Sequence, residues 1–348
     1  MTQDPGGNNN SHDFPNTVGI LYSEVKREYF PTEDQYLTEK DALHDAQVIA
    51  TYLDKLGLKT YLYPGVPDVI NSLKKDKPDM VINLVGSVNG QEYLSSTIPG
   101  MLESLDIPYT GAGILGESLA YNKFLIKELL KSHGIPVPNF QLLPDIATPL
   151  SSDLRFPLIS KLNEIHGGVE ITNDSVSNDE KHLRERVKYL IGTYKQPVVV
   201  EEFIAGKEVT AMLLEGLNKK VYMAEKVFKD YGNPNAFATF EDQWLESGKD
   251  SYRYEKFSDS NLSHLVKKAF DVTRMSDYGK FDVRIDQSGR YYFIDSNSNP
   301  AFGPKELYCA LSLILDLYGI NFGEIVKRLL MNTMRDARGK EKLSPVEE

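Results

Sequence analysis

Three oxygen-bearing side chains late in the chain stand at a spacing that suits metal chemistry. In FDVRIDQSGRYYFIDSNSN, residues 281–299, strand alternation puts Asp282, Arg284 and Asp286 on one face. Gly289 then turns the chain, and Asp295 and Asn297 share a face on the returning strand. Asp282, Asp295 and Asn297 would converge on one spot. Hard divalent cations such as Mg²⁺ (or Mn²⁺) take carboxylate and amide oxygens and keep positions open for phosphate oxygens. A solvated hairpin with outward polar residues has the same pattern, so this segment alone leaves both readings open.

Further groups suit phosphate and nucleoside. Lys161 ends an apolar strand, and Gly167-Gly168 follow in the next turn. Backbone N–H groups of a glycine loop approach phosphates closely and a lysine adds a point charge, although a plain hairpin also favours Gly-Gly. VVVEEFIAGKEVTAMLL reads as a hairpin turning at Ala205-Gly206-Lys207, with Glu201 and Glu208 flanking Phe203 and Ile204. Acidic acceptors beside an apolar strip suit a ribose and an adenine, and equally an ordinary acidic surface. Gly111-Ala112-Gly113-Ile114-Leu115-Gly116 matches GxGxxG, but it follows three earlier strands and precedes a long helix. A tight turn into a helix is the better reading than a nicotinamide site. Cys309 lies in an apolar helical stretch and reads as core, and no nucleophile elbow is present.

The elements that must carry these groups change character along the chain. TVGILY from Thr17, KTYLY and MVINLV read as strands. They alternate with helices at about Glu39–Leu56 and Asp68–Lys74 and with a further helix ending near Leu105, the signature of a helix-covered parallel sheet. Beyond Pro136 and Pro138 the pattern is β-rich: FPLISKL, PVVVEEF, EVTAMLL and KVYMAEKVF, with a polar helix near Asn178–Gly192. A helix near Leu262–Met275, the strands FDVRID and YYFIDS, and helices at Leu307–Tyr318 and Phe322–Met331 complete the chain. The expected fold class is α/β followed by α+β. It comprises a parallel α/β domain over 17–115, a small β-rich lid over 116–215, an α+β domain over 216–335, and tails at 1–16 and 336–348.

Composition removes several classes. The 348 residues carry 50 Asp plus Glu against 39 Lys plus Arg, a net charge of −11 with no basic stripe, which argues against nucleic acid. No apolar run of about 18 residues predicts a membrane span. The first sixteen residues lack the features of a secretory signal, and the single cysteine excludes internal disulfides and CxxC sites. The expectation is a soluble, cytoplasmic, multidomain protein.

Taken in order, the lysine-tipped helix NKFLIKELLKSHGIPVP, the lysine before a glycine loop, the Glu-Glu-Phe-Ile segment and the Asp…Asp-x-Asn hairpin resemble the ATP-grasp enzymes. Within them the chain is similar to the D-alanine–D-alanine ligase group from about Thr17 to Met331. NLVGSVNGQEYLSSTIPGMLESLDIPYTGAG is another of the strongest stretches. The resemblance implies a carboxylate–amine ligase that uses ATP and Mg²⁺ and proceeds through an acyl phosphate. Its substrates would be small amino acids or carboxylates, and family members are often homodimers. It assigns Lys123 and Lys161 to phosphate, Gly167 and Gly168 to the lid loop, and Glu201, Phe203 and Ile204 to the adenine strip, Ile204 through its backbone. Glu208 falls to the ribose, Asp282, Asp295 and Asn297 to metal, and Lys280 to the steadying of phosphate and oxyanion.

The chain also departs from the pattern. Asp295 stands where glutamate is usual, and Lys280 where arginine is usual, which keeps the charge and loses the bidentate fork. Gln243 stands at an expected phosphate lysine, and FGPKEL replaces the segment that holds a substrate carboxylate. LYSEVKREYFPTEDQY replaces the glycine-containing loop that grips an amino group, with Glu24 and Glu28 as the candidates for that grip. A catalytically weakened ATP-binding homologue acting as a binding module is the alternative.

Overall fold

The computed structural model describes residues 14–339 except positions 231 and 249. Most of both expected tails, 1–13 and 340–348, lies outside the described residues. The last helix, Phe322–Gly339, runs past the expected end at Met331 and into the expected tail.

The N-terminal sheet is parallel. Strands β1 (Thr17–Tyr22), β2 (Lys59–Pro64) and β3 (Met80–Leu84) lie in the order β2-β1-β3. Val18 and Ile20 are fully buried and pack with Ile49 and Leu53 of the helix Ala42–Lys55. The same cluster takes in Leu311, Ile314 and Leu315 of the helix Ala310–Leu317, so the N-terminal sheet and the C-terminal helices share one core. At roughly 1.5–3 kcal/mol for each fully buried aliphatic side chain, that seam clamps the two ends of the chain together.

A second sheet holds β4 (Phe140–Leu143), β5 (Leu158–Leu162), β6 (Val176–Ser177) and β7 (Val198–Glu202) in the order β4-β7-β5-β6. The helix Glu180–Tyr194 covers it through Leu183, Val187 and Leu190. A third, antiparallel sheet holds β8 (Lys207–Leu214), β9 (Lys220–Phe228), β10 (Tyr252–Phe257), β11 (Tyr278–Ile285) and β12 (Tyr291–Asn297) in the order β10-β9-β8-β11-β12. Its faces divide cleanly. Val209, Ala211 and Leu213 of β8 join Phe281 and Val283 of β11 in the core against the helices Lys123–Ser132 and Ser260–Val272. Period-2 alternation therefore turns Glu208, Thr210, Lys280, Asp282 and Arg284 to the other face.

One sequence expectation needs correction, and one feature of β12 was not foreseen. VVVEEFIAGKEVTAMLL is not a hairpin: β7 pairs with β4 and β5, whereas β8 pairs with β9 and β11. Residues 203–206 cross between the sheets. Gly206, at φ +146°, passes so close to the Ile285 carbonyl that a Cβ would stand 2.0 Å from its oxygen. Against β12 the register shifts between Asp282 and Val283, because Asp282 opposes Asp295 while Val283 opposes Phe293. Ile294 is thus a bulge, which frees its carbonyl from the ladder.

The GxGxxG stretch is a turn into the helix Ile114–Ala120. Gly111 adopts φ +91° and its N–H donates to buried Asp277. A Cβ at Gly116 would stand 2.2 Å from the Arg274 carbonyl oxygen. Gly116→Ala is expected to lower stability by about 2 kcal/mol in urea unfolding, the cost of overpacking a close backbone contact. Gly192→Ala, in the helix Glu180–Tyr194 with open space around it, is expected to raise stability by roughly 0.5–1 kcal/mol in the same assay.

Candidate active site

A cleft of about 590 Å³ runs between the sheets, and the residues that the resemblance assigned to nucleotide, metal and phosphate line it: Lys123, Lys161, Gly167, Gly168, Glu201, Phe203, Ile204, Glu208, Lys280, Asp282, Asp295 and Asn297. Its floor is the polar face of the third sheet.

Register pairs Asp282 with Asp295 and Lys280 with Asn297, which gathers all four side chains on one face of β11 and β12. Thr210 Oγ1 donates to Asp282 Oδ1 at 2.6 Å and Lys280 Nζ donates to Oδ2 at 2.5 Å. Burial opposes ionisation of Asp282, but Lys226 and Lys280 outweigh it and bring its pKa to about 2. Burial likewise works against Asp295, and Lys123, with His166, Lys280 and Lys161, holds that carboxyl well below the usual range. Two ionised carboxylates and an amide oxygen form a donor set that fits one hard divalent cation. Among the described residues, no group of three or more His, Cys, Asp and Glu gathers as a richer site.

The second charged knot joins the second sheet to the third. Asn122 caps the helix Lys123–Ser132 by accepting from the Leu125 N–H, and one turn of helix separates Lys123 from Lys127 on a shared face. Lys127 Nζ lies 2.6 Å from Glu201 Oε2 as an ion pair outside hydrogen-bond alignment, and Lys161 pairs with Glu201 Oε1. Burial alone would raise the Glu201 pKa, but the two lysines outweigh it and hold the carboxyl below its ordinary value. Lys127 and Lys161 also donate to the bulged Ile294 carbonyl, at 3.1 and 3.2 Å. The bulge therefore ties the second sheet and the 123–132 helix to the strand that carries Asp295. Lys123 donates to the Ile165 carbonyl.

Glu208 is engaged on both oxygens: Lys226 Nζ lies 2.6 Å from Oε1 and Arg284 Nη1 3.2 Å from Oε2. The Arg284 guanidinium also covers the Phe203 ring at 5.5 Å and donates through Nε to the Ile204 carbonyl at 2.9 Å. The Ile204 N–H makes no hydrogen bond among the described residues, which leaves a donor at the apolar wall.

The glycine loop is latched from three sides. Gly167 and Gly168 adopt φ +70° and +67°, a conformation that favours glycine. Trp244 Nε1 donates to the Gly167 carbonyl at 2.6 Å, and the His166 N–H donates to Glu92 Oε2 at 2.7 Å. Thr38 packs where a Cβ of Gly167 would stand. Gln243 lines the cleft with its amide donated to the Thr239 carbonyl.

Sequence reasoning missed Glu39, Lys127 and Lys226, and neither Glu24 nor Glu28 lines the cleft. Glu24 pairs with Lys26, and Glu28 is exposed. Glu39 reaches the cleft instead, accepting from Ser87 Oγ at 2.7 Å. Burial, reinforced by Glu92, raises its pKa to about 7. The only signal for Glu39 was a lone glutamate just before a helix. Lys127 was legible as the i+4 neighbour of Lys123.

Comparison with known proteins decides the family. The model of the D-Ala–D-Ala ligase C-terminus matches residues 129–331, more than half of the chain. The chain belongs to the D-alanine–D-alanine ligase family. It is 29% identical over 271 residues to a D-alanine–D-alanine ligase of Pseudomonas entomophila, covering 77% of this chain and 80% of that protein. It is 28% identical over 276 residues to an uncharacterised Sinorhizobium fredii protein, covering 76% and 80%. The D-alanine–D-alanine ligase from Bacillus anthracis complexed with ATP superposes with a TM-score of 0.70 at 19% identity, covering 93% of this chain and 99% of that one. The fold is therefore ATP-grasp, as expected, and the protein is an ATP-dependent ligase that forms C–N bonds. Membership does not favour the binding-only alternative.

Among the described residues, Glu201 is the sole carboxylate paired with both Lys127 and Lys161. Glu201→Gln is expected to cost about 3 kcal/mol in denaturant unfolding at pH 7, because it strands buried charge. Glu202→Gln, at a more exposed position on the same strand, is expected to cost less than about 1 kcal/mol.

Proposed function

We propose that this ligase binds ATP with a divalent cation on the floor of the cleft and joins the carboxylate of one small molecule to the amine of another. The observation that carries the reading is the opposition of ionised Asp282 and Asp295 on adjacent strands beneath Lys123, Lys161 and Lys280. Asp282, Asp295 and Asn297 would hold Mg²⁺ or Mn²⁺. The cation screens anionic phosphate from an anionic carboxylate, and ATP activates that carboxylate as an acyl phosphate.

The chain's own residues supply the rest. The Phe203 ring and the free Ile204 N–H suit an adenine, and the remaining lone pairs of Glu208 suit a ribose hydroxyl. Lys123 and Lys161 contribute phosphate-facing charge, and Lys280 contributes a donor for developing oxyanion charge. The Gly167–Gly168 loop, latched by Trp244 and Glu92, keeps water from the activated carboxylate.

Glu39 is the proposed anchor for a substrate ammonium: a half-buried acid with Ser87 behind it and a pKa near 7 gains most from a nearby cation. Relatives named D-alanine–D-alanine ligase suggest amino acids as the substrate class. The FGPKEL segment supports a pair other than two D-alanines. Lys305 there pairs with Asp316 and Glu306 accepts from Tyr52, and neither lines the cleft to hold a carboxylate.

Purified protein is expected to release phosphate from ATP in an amino-acid-dependent manner, with Asp282→Ala reducing the rate at least about a thousandfold. Silence across a broad panel of amino acids and carboxylates would reject the reading. The raised pKa of Glu39 also fixes a proton balance. The free carboxyl is largely protonated at pH 6, and an arriving ammonium favours its ionised form, so substrate binding releases a proton between about pH 5 and 7. Calorimetry in two buffers of different ionisation heat is expected to show release approaching one proton in wild type and none in Glu39→Gln. Proton uptake in wild type would contradict the assignment.

A further inference from the structure

Lys226 pairs with Glu208 and helps to hold Asp282 ionised, and no contact with a ligand has been assigned to it. It sits on β9 directly opposite Glu208 of β8, and two residues further along β8 Thr210 opposes Asp282 of β11. The lysine thus reaches diagonally across β8. Its Nζ lies 2.6 Å from Glu208 Oε1 and 3.6 Å from Asp282 Oδ1, and its side chain, only 5% exposed, still lines the cleft. The Tyr252 ring stands 5.6 Å from the ammonium on its other side.

Arg284 already pairs with Glu208, and Lys280 already pairs with Asp282. With Lys226 added, three cations face three carboxylates, Glu208, Asp282 and the adjoining Asp295, so the patch balances before any ligand enters. On the function proposed above, a divalent cation held by Asp282 and Asp295 would leave positive charge in excess of these carboxylates, and an anion entering the open cleft would complete the patch. The anion's identity follows from the flanking groups. On the function proposed above, Glu208 faces the ribose and Asp282 faces the metal, and the stretch of nucleotide between ribose and metal is its phosphate chain.

We propose that Lys226 is a nucleotide-contacting residue that binds the phosphate chain of ATP, exchanging part of its pairing with Glu208 and Asp282 for phosphate oxygens when the nucleotide enters. It brings from β9 a positive charge additional to those of Lys123 and Lys161. The inference rests on the nucleotide reading of this cleft and names one more residue in it.

The test is calorimetric titration of wild type, Lys226→Met, Lys226→Gln and Lys226→Arg with adenosine, ADP and ATP in the presence of Mg²⁺. Lys226→Met is expected to weaken ADP and ATP at least about tenfold, the loss of a charge-assisted contact, and to change adenosine less than about threefold. Lys226→Gln keeps a donor for Glu208, so it guards the fold and is expected to show the same split. Lys226→Arg is expected to stay within about fivefold of wild type for all three ligands. Equal losses for adenosine, ADP and ATP would mean that Lys226 only holds Glu208 in place and would overturn the proposal, as would wild-type affinities in the Met and Gln variants. A wild-type protein that binds none of the three would remove the nucleotide reading itself, a failure distinct from unchanged variants of a protein that binds all of them.

Discussion

Two carboxylates side by side, Asp282 buried and Asp295 half-buried, must be kept ionised, and the rest of the site follows from how that is done. Asp282 and Asp295 oppose each other on neighbouring strands, where burial and mutual repulsion both favour protonation. Lysines arriving from four separate places prevent it: Lys123 from the helix 123–132, Lys161 from β5, Lys226 from β9 and Lys280 from β11. Each is costly to bury alone, and each is buried only because the others and the acids are there. The floor of the cleft is thereby polarised before any ligand enters, which is the preorganisation that phosphoryl chemistry needs.

That arrangement explains why the fold is built from three sheets meeting at one seam. The Ile294 bulge offers one carbonyl to two lysines of different elements, and Glu201 is held by the same two. The close passage of Gly206 past Ile285 brings β7 and β8 into different sheets within four residues, so the wall and the floor of the cleft stay adjacent. The Gly167–Gly168 loop beside them is held by Trp244 and Glu92, contacts from two different regions of the chain.

Much of this was legible in the sequence, and the limits have physical causes. The 281–299 hairpin could be read because its pairing is local, its side chains alternate and Gly289 marks the turn. The three parallel strands were legible from their spacing with helices. The crossing at 203–206 was not: two strands joined by four residues look like a hairpin unless the partners of each strand are known, and those partners lie far away in sequence. Glu39 and Lys226 escaped for the same reason. A lone acid before a helix and a lysine inside an apolar strand acquire meaning only from Ser87, Glu92, Glu208 and Asp282, which the fold brings to them.

The central claim, that Asp282, Asp295 and Asn297 together hold a divalent cation beneath a bound nucleotide, is tested most directly by crystallography of the protein with Mn²⁺ and a non-hydrolysable ATP analogue, with anomalous data collected at the manganese edge. The account predicts an anomalous peak within coordination distance of both carboxylates, with phosphate oxygens of the analogue completing the shell. A map with the analogue bound and no manganese at these side chains, or with manganese bound elsewhere in the cleft, would contradict it.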